Sequence, residues 1–322
     1  MKAMVYDRYG DPDVLELREI DKPELTDDGV LVRVNAASVN PFDWHMLTGA
    51  PYLVRTQAGW RRPKTGLIGM DFAGIVEAVG KDVTQMKTGD EVYGCRSGAF
   101  GEYVCVRRSI APKPANLTFE EAAAVPMAGV TALQALRDKG KLRAGQKVLV
   151  NGASGGVGTF AVQIAKAFGA HITAVCSTRN VDSVRSLGAD RVIDYTQEDF
   201  TRGGDRFDLI VDVAGNHSWS DTKRVMTADA TLVIVGGPKD NRLFGSLGRA
   251  VGRRLLATPG SRTVAAPFLA TITREDLIVL KDLIEAGTVM PVVENKYELN
   301  DTPQALRYIG AGHARAKVVI SV

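Results

Sequence analysis

Cysteine is scarce: Cys95, Cys105 and Cys176 are the only three in 322 residues. They are too few and too scattered for a disulfide framework or a paired-cysteine metal knuckle, and they fit a reducing compartment. No apolar run approaches the roughly 18 residues of a membrane span. The opening Met1-Lys2-Ala3-Met4-Val5-Tyr6 goes directly into strand-like sequence, without the apolar core of a secretory leader, so the expected location is the cytoplasm. Charge of one sign is also lacking: 40 Lys and Arg face 37 Asp and Glu, a net +3 that leaves no electrostatic footprint for nucleic acid. The four histidines, His45, His171, His217 and His313, are dispersed without a metal-ligand spacing. Internal repeats and low-complexity stretches are absent. What is present is an ordinary globular composition on a chain longer than the roughly 250–300 residues at which a single core stops growing, so two domains are expected.

The first third reads as β, with strand-like runs at Lys2–Tyr6, Leu15–Glu19, Val30–Ala37, Ala73–Val79 and Tyr103–Val106 and tight turns at Asp28-Gly29 and Gly89-Asp90. The middle changes character. Val148–Val150, Ile172–Cys176, Val192–Asp194, Leu209–Val213 and Thr231–Val235 are β-rich runs separated by segments long enough for crossover helices, which predicts a parallel α/β sheet. Thr118-Phe-Glu-Glu121 is a capping-box pattern that starts a helix running towards Pro126, and the domain boundary is expected nearby. Towards the C-terminus, Leu277, Leu280, Leu283 and Ile284 have helical spacing over Arg274–Ala286, with Gly287 as the stop signal. A final strand is expected at Lys317–Val322.

The main chemical signal is Val148-Leu-Val-Asn-Gly152-Ala-Ser154-Gly155-Gly156-Val157-Gly158, a strand that enters a glycine-rich turn and then helix-like sequence at Thr159–Phe168. A dinucleotide site needs that context. Gly155 permits close backbone approach to a pyrophosphate, Gly158 lets the helix pack closely on its strand, and the helix N-terminus offers unpaired N–H groups to the anion. About 20 residues further on, an Asp or Glu would hold the ribose hydroxyls of NAD. This chain has Ser177-Thr178-Arg179 instead, two hydroxyls and a guanidinium suited to a 2′-phosphate, which favours NADPH. Arg179 read as a solvated charge on the following turn is the alternative.

Over essentially its whole length the chain resembles a zinc-free medium-chain dehydrogenase/reductase of the quinone oxidoreductase-like branch. Gly69-Met-Asp71-Phe-Ala-Gly74-Ile-Val-Glu77-Ala-Val-Gly80, Gly89-Asp-Glu-Val-Tyr-Gly94, Gly98-Ala-Phe-Gly-Glu-Tyr103, Pro126-Met-Ala-Gly129-Val-Thr131-Ala and Gly312-His-Ala-Arg-Ala-Lys317-Val-Val-Ile carry the likeness. It implies a GroES-like β-barrel substrate domain of residues 1–123 and 271–322, flanking a Rossmann doubly wound parallel sheet of residues 124–270. Where zinc-dependent relatives carry catalytic ligands, this chain has Asn40, Met70-Asp71 and no cysteine near Thr131, so no metal is expected. The likeness further implies that Asn40 and Thr131 border the nicotinamide and that Val235-Gly236-Gly237-Pro238 follows the fifth Rossmann strand near the carboxamide. It also implies that Tyr195 approaches the adenosine phosphate, a buried structural tyrosine being the alternative. Val213-Ala214-Gly215 ends the fourth strand at the carboxyl edge, where ligands bind in open α/β sheets.

Without zinc to polarise a carbonyl, hydride passes most easily to acceptors that delocalise the arriving charge, quinones or α,β-unsaturated carbonyls. Asn40 and Tyr52 are the candidate donors to the developing oxygen, with loop bracing and a pocket wall as their respective alternatives. Enoyl thioesters, simple carbonyls or alcohols, and a non-catalytic NADPH-binding sensor or scaffold remain competing readings. The stretch Asn241–Arg262 interleaves five arginines with apolar residues and suits a substrate lid, a dimer-contacting helix or peripheral membrane contact. A homodimer is expected by family likeness through the region Val264–Phe268.

Overall fold

The computed structural model describes residues 1–237, 263–266, 268–312 and 314–322. The segment 241–262, together with Pro238 and His313, lies outside the described residues. The chain divides into two compact units: Met1–Val130 with Thr271–Gly287 and Pro291–Val322, and Thr131–Ala270 with Thr288–Met290.

In the first unit the ten-residue strand Val30–Val39 is the organising element. One of its edges pairs antiparallel with Asp71–Val79. The other edge is shared: Tyr103–Val106 takes Val30–Arg33, and Lys317–Ser321 takes Ala36–Val39. Glu91–Cys95 and Ile110–Pro112 extend the sheet beyond Asp71–Val79, and Val293–Glu298 extends it beyond Lys317–Ser321. Alternation along these strands turns Val32, Val34, Phe72, Val76, Val92, Val104 and Ile320 into one apolar cluster. The helix Arg274–Glu285 is tied to the sheet by the Tyr93 hydroxyl, which donates to the Leu277 carbonyl at 2.5 Å. It ends at Gly287, whose φ of +71° disfavours any residue with a Cβ. The expected capping box is formed: the Thr118 N–H donates to the Glu121 carboxylate at 2.9 Å and the Glu121 N–H to the Thr118 hydroxyl at 3.2 Å.

The second unit is a six-stranded sheet in the spatial order Arg191–Asp194, His171–Cys176, Lys147–Asn151, Phe207–Asp212, Met226–Ile234, Thr263–Val264. Every pair is parallel. Numbered along the chain this is 3-2-1-4-5-6, the Rossmann order, with its switch point between the first and fourth strands. Helix Gly156–Ala167 buries Phe160, Ala161, Ile164 and Ala165 completely. Gln163 on the same helix holds a short stretch from the distant C-terminal part by a reciprocal pair, donating to the Met290 carbonyl at 2.9 Å and accepting from the Met290 N–H at 2.8 Å. Among the described residues no helix is long and apolar enough to cross a membrane. The architecture is α/β, a Rossmann sheet with a second unit whose sheet is antiparallel except for the parallel pair of Val293–Glu298 with Lys317–Ser321. Strands at Glu91–Cys95, Ile110–Pro112, Thr263–Val264 and Val293–Glu298 add to those expected.

Candidate active site

Strand Lys147–Asn151 ends at Gly152, whose φ of +90° starts the turn, and Gly155 caps the helix that begins at Gly156. A Cβ on Gly158 would lie 2.2 Å from the Gly152 carbonyl oxygen, so the helix can seat this closely only on glycine. A Cβ on Gly155 would meet only that carbonyl, at 3.7 Å; the surface above it is open. Open space in front of first-turn N–H groups that have no carbonyl partner in the helix is what an anion requires.

The neighbouring loops are locked to this turn by polar groups at the strand ends. Asn151, 3% exposed, donates to the Asp212 carboxylate at 2.8 Å and to the Asn216 side-chain carbonyl at 2.9 Å. Asp212 also accepts from the Gly215 N–H at 2.8 Å, and the Val213 N–H donates to the Asn151 carbonyl at 2.9 Å. The Asp212 carbonyl accepts from the N–H of Val235 at 2.9 Å, and a Cβ on Gly236 would lie 2.3 Å from the Val213 carbonyl oxygen. Residues 213–215 and 235–236 therefore meet at one sheet edge, with Ala214 and Val213 packed against Gly152. Asn151 and Asp212 were not singled out from the sequence; a polar residue closing an apolar parallel strand was the available signal.

At the end of the second strand, Ser177 opens a short turn over Thr178–Asn180. The Ser177 hydroxyl accepts from the Asn180 amide at 3.1 Å, and among the described residues it donates to no acceptor. Arg179 is exposed. Thr178 differs from the expectation: its hydroxyl donates to Asp194 at 2.6 Å and lies 3.0 Å from Thr196. The Thr178 bond, followed by the N–H and hydroxyl of Thr196, holds the Asp194 carboxyl below the usual range. Asp194 is contributed by the third strand, and sequence spacing alone did not bring it to this corner. Tyr195 follows it and is 56% exposed, so the buried reading of this tyrosine does not hold. Thr131 lies half-buried in the helix Pro126–Gln134.

Asn40 and Tyr52 belong to the first unit. Asn40 is 3% exposed and lies in a buried polar cluster. Its amide donates to Asp71 at 3.0 Å and to the Ser38 carbonyl at 3.3 Å, and its oxygen accepts from the Lys317 ammonium at 2.6 Å. Lys317 is 3.7 Å from the Asp71 carboxylate, which also accepts from the Met127 N–H at 3.2 Å. Burial raises the Asp71 carboxyl and lowers the Lys317 ammonium, while their mutual attraction opposes both shifts. Burial also pushes the nearby Cys95 thiol well up. Both Asn40 amide hydrogens are thus engaged, in keeping with the bracing alternative. Tyr52 is 43% exposed, with the Arg55 guanidinium 4.9 Å from its ring centre.

Two families match the chain: the alcohol dehydrogenase GroES-like domain over residues 26–161 and a family described as zinc-binding dehydrogenase over residues 187–320. The Mus musculus protein named NAD(P)H oxidoreductase RTN4IP1, mitochondrial, is 34% identical over 364 residues, covering 100% of this chain and 89% of its own length. An Arabidopsis thaliana NADPH-dependent alkenal/one oxidoreductase, chloroplastic, is 36% identical over 340 residues, covering 99% of this chain and 79% of its own. The crystal structure of Escherichia coli quinone oxidoreductase complexed with NADPH superposes with a TM-score of 0.83 at 26% identity, covering 100% of both chains. Zinc stands in one family's description, yet among the described residues no three His, Cys, Asp or Glu side chains are grouped to hold a metal. The Lys317 ammonium already supplies a positive charge beside Asn40 and Asp71.

Asp43, buried two residues into the helix that Asn40 opens, accepts from the Asn40 N–H at 2.8 Å. Desolvation pushes its carboxyl up to about 8, against the pull of that hydrogen bond. An unfolded Asp titrates near about 3.9, so the folded chain holds this proton more tightly. The stability so contributed is fully present below about pH 4 and is lost as the pH rises towards about 8. The urea midpoint of the wild type should therefore fall more steeply between about pH 5 and 8 than that of Asp43→Asn, which keeps an oxygen for the Asn40 N–H. Parallel slopes would mean that Asp43 is not the group responsible.

Proposed function

We propose, because the chain belongs to the zinc-free, quinone oxidoreductase-like branch of the medium-chain dehydrogenase/reductase superfamily, that it passes hydride from NADPH to quinones or α,β-unsaturated carbonyls. The observation that carries this reading is the open turn over Gly155 beside a second strand that ends in Ser177-Thr178-Arg179 without an acid. The named activities of the Arabidopsis and Escherichia coli relatives support it.

NADPH supplies the hydride when bound. The N–H groups of Gly156, Val157 and Gly158 hold its pyrophosphate, with Gly152, Ser154 and Gly155 shaping the approach. Ser177 and Arg179 hold the 2′-phosphate, and Thr178 keeps Asp194 hydrogen-bonded at the rim of that pocket. Tyr195 would border the adenosine phosphate. The backbone of Val213, Ala214, Gly215, Val235, Gly236 and Gly237 lines the nicotinamide end, which Thr131 and Asn40 border. Asn40 acts as a brace for the chain entering helix Pro41–Thr48. Tyr52 donates a hydrogen bond, and then a proton, to the oxygen on which charge develops, the hydride having gone to a carbon remote from it. We also propose a homodimer formed along the edge strand Thr263–Val264 and the residues to Phe268, and a cytoplasmic location, in keeping with three unpaired cysteines.

Arg179→Ala should weaken NADPH binding by about 10- to 100-fold, the loss of one charge-assisted hydrogen bond of roughly 1.5–3 kcal/mol, and leave NADH binding nearly unchanged. Equal losses for both cofactors, measured by fluorescence titration, would remove the 2′-phosphate contact. Tyr52→Phe should lower kcat by at least about tenfold with NADPH affinity intact. An unchanged rate across the pH range would leave Tyr52 as packing only.

A further inference from the structure

The stretch from Trp44 to Met70 contains no Asp or Glu, while Arg55, Arg61, Arg62 and Lys64 lie within it. Arg55 is turned to the protein, donating to the Gly49 carbonyl at 2.9 Å and stacking its guanidinium over Tyr9 at 4.7 Å. The other three side chains are exposed, and among the described residues none of them forms an ion pair. They follow directly in the chain on Trp60, which is 68% exposed.

The loop is built to hold this tip outward. The Lys64 N–H closes it onto the Ala58 carbonyl at 2.8 Å, and the Tyr9 hydroxyl pins its base through the Gly59 carbonyl at 2.5 Å. Gly59 has a φ of +122°, and a Cβ there would lie 2.2 Å from the Arg62 carbonyl oxygen, so the turn is specific to glycine. Leaving an indole in water forgoes the burial that most tryptophans gain. An indole beside unpaired cations is the combination favoured at the boundary between acyl chains and anionic headgroups.

We propose that the Ala58–Lys64 loop docks the chain on an anionic lipid surface, with Trp60 entering the interfacial layer and Arg61, Arg62 and Lys64 meeting the headgroup phosphates. The absence of any acid over Trp44–Met70 is the charge complementarity that selects this occupant: a zwitterionic surface would use the indole alone, and a neutral protein groove would leave three cations without counter-charges. The proposal is independent of the hydride-transfer reading and of the segment 241–262.

The test is co-sedimentation of the full chain with large unilamellar vesicles of phosphatidylcholine alone or with about 30% phosphatidylserine at low salt. Binding should occur with the anionic vesicles, fall at least about tenfold in roughly 0.5 M salt, and fall at least about tenfold in each of Trp60→Ala and the double variant R61E/R62E. Circular dichroism melts of both variants should match the wild type, since the tip is solvent-exposed. Absence of wild-type binding at low salt overturns the proposal, as does equal binding by variants that melt normally, which would put the contact elsewhere. Release by millimolar inorganic phosphate at constant ionic strength also overturns it, in favour of a site for a free phosphate group.

Discussion

The carboxylate of Asp71 is sealed from water, and three other elements of the first unit supply what water would have given it. Asn40 donates from the start of one helix, the Met127 N–H from the start of another, and Lys317 brings a positive charge from the last strand. A charge left alone in such a place costs several kcal/mol, and removal of one partner from a buried pair costs about 3–5 kcal/mol. The strands that carry Asp71 and Lys317 flank Val30–Val39, so their register and the entry to helix Pro41–Thr48 are fixed together. The orientation of the Asn40 amide follows from the same charges: its N–H groups face the carboxylate and its oxygen the ammonium. A flipped amide would set donors against a cation.

In the second unit, polar closure of apolar strands has the corresponding role. Asn151 and Asp212 end the two strands at the switch point, and their mutual hydrogen bond holds the turns that follow in one place. Glycine supplies the remaining condition, because Gly158 and Gly236 each face a carbonyl oxygen at a distance no Cβ tolerates. The result is a rigid edge that presents backbone groups. Such an edge suits a reaction in which the protein mainly orients two reactants and stabilises charge on one oxygen, since the hydride comes from the cofactor.

The Rossmann sheet was legible because its strands are continuous apolar runs and its first turn must be glycine for steric reasons that spacing reveals. The capping box at Thr118 and the stop at Gly287 were legible for the same reason: a local rule decides them. Val293–Glu298 was not, because Val-Glu-Asn-Lys-Tyr-Glu has no apolar alternation and is held as an edge strand by Lys317–Ser321. Lys317 opens the expected final strand, but only pairing across the sheet shows that it is 3% exposed and bonded to a residue 277 positions earlier. Asp194 likewise reaches Thr178 only because the second and third strands are in register. The donor pair Asn40 and Tyr52 was named from chemistry and likeness; what the sequence could not show is that both Asn40 amide hydrogens are engaged, by Ser38 and Asp71, and that Tyr52 is 43% exposed.

The most direct test of metal-free hydride transfer is to mix the chain, stripped of metal by chelation, with NADPH and a panel of quinones, enones, saturated ketones and enoyl thioesters, following cofactor absorbance and identifying products. NADPH oxidation with quinones or enones at a rate the chelator leaves unchanged is the predicted result. Tight NADPH binding with no turnover on any acceptor, or turnover that appears only when zinc is restored, would contradict the account.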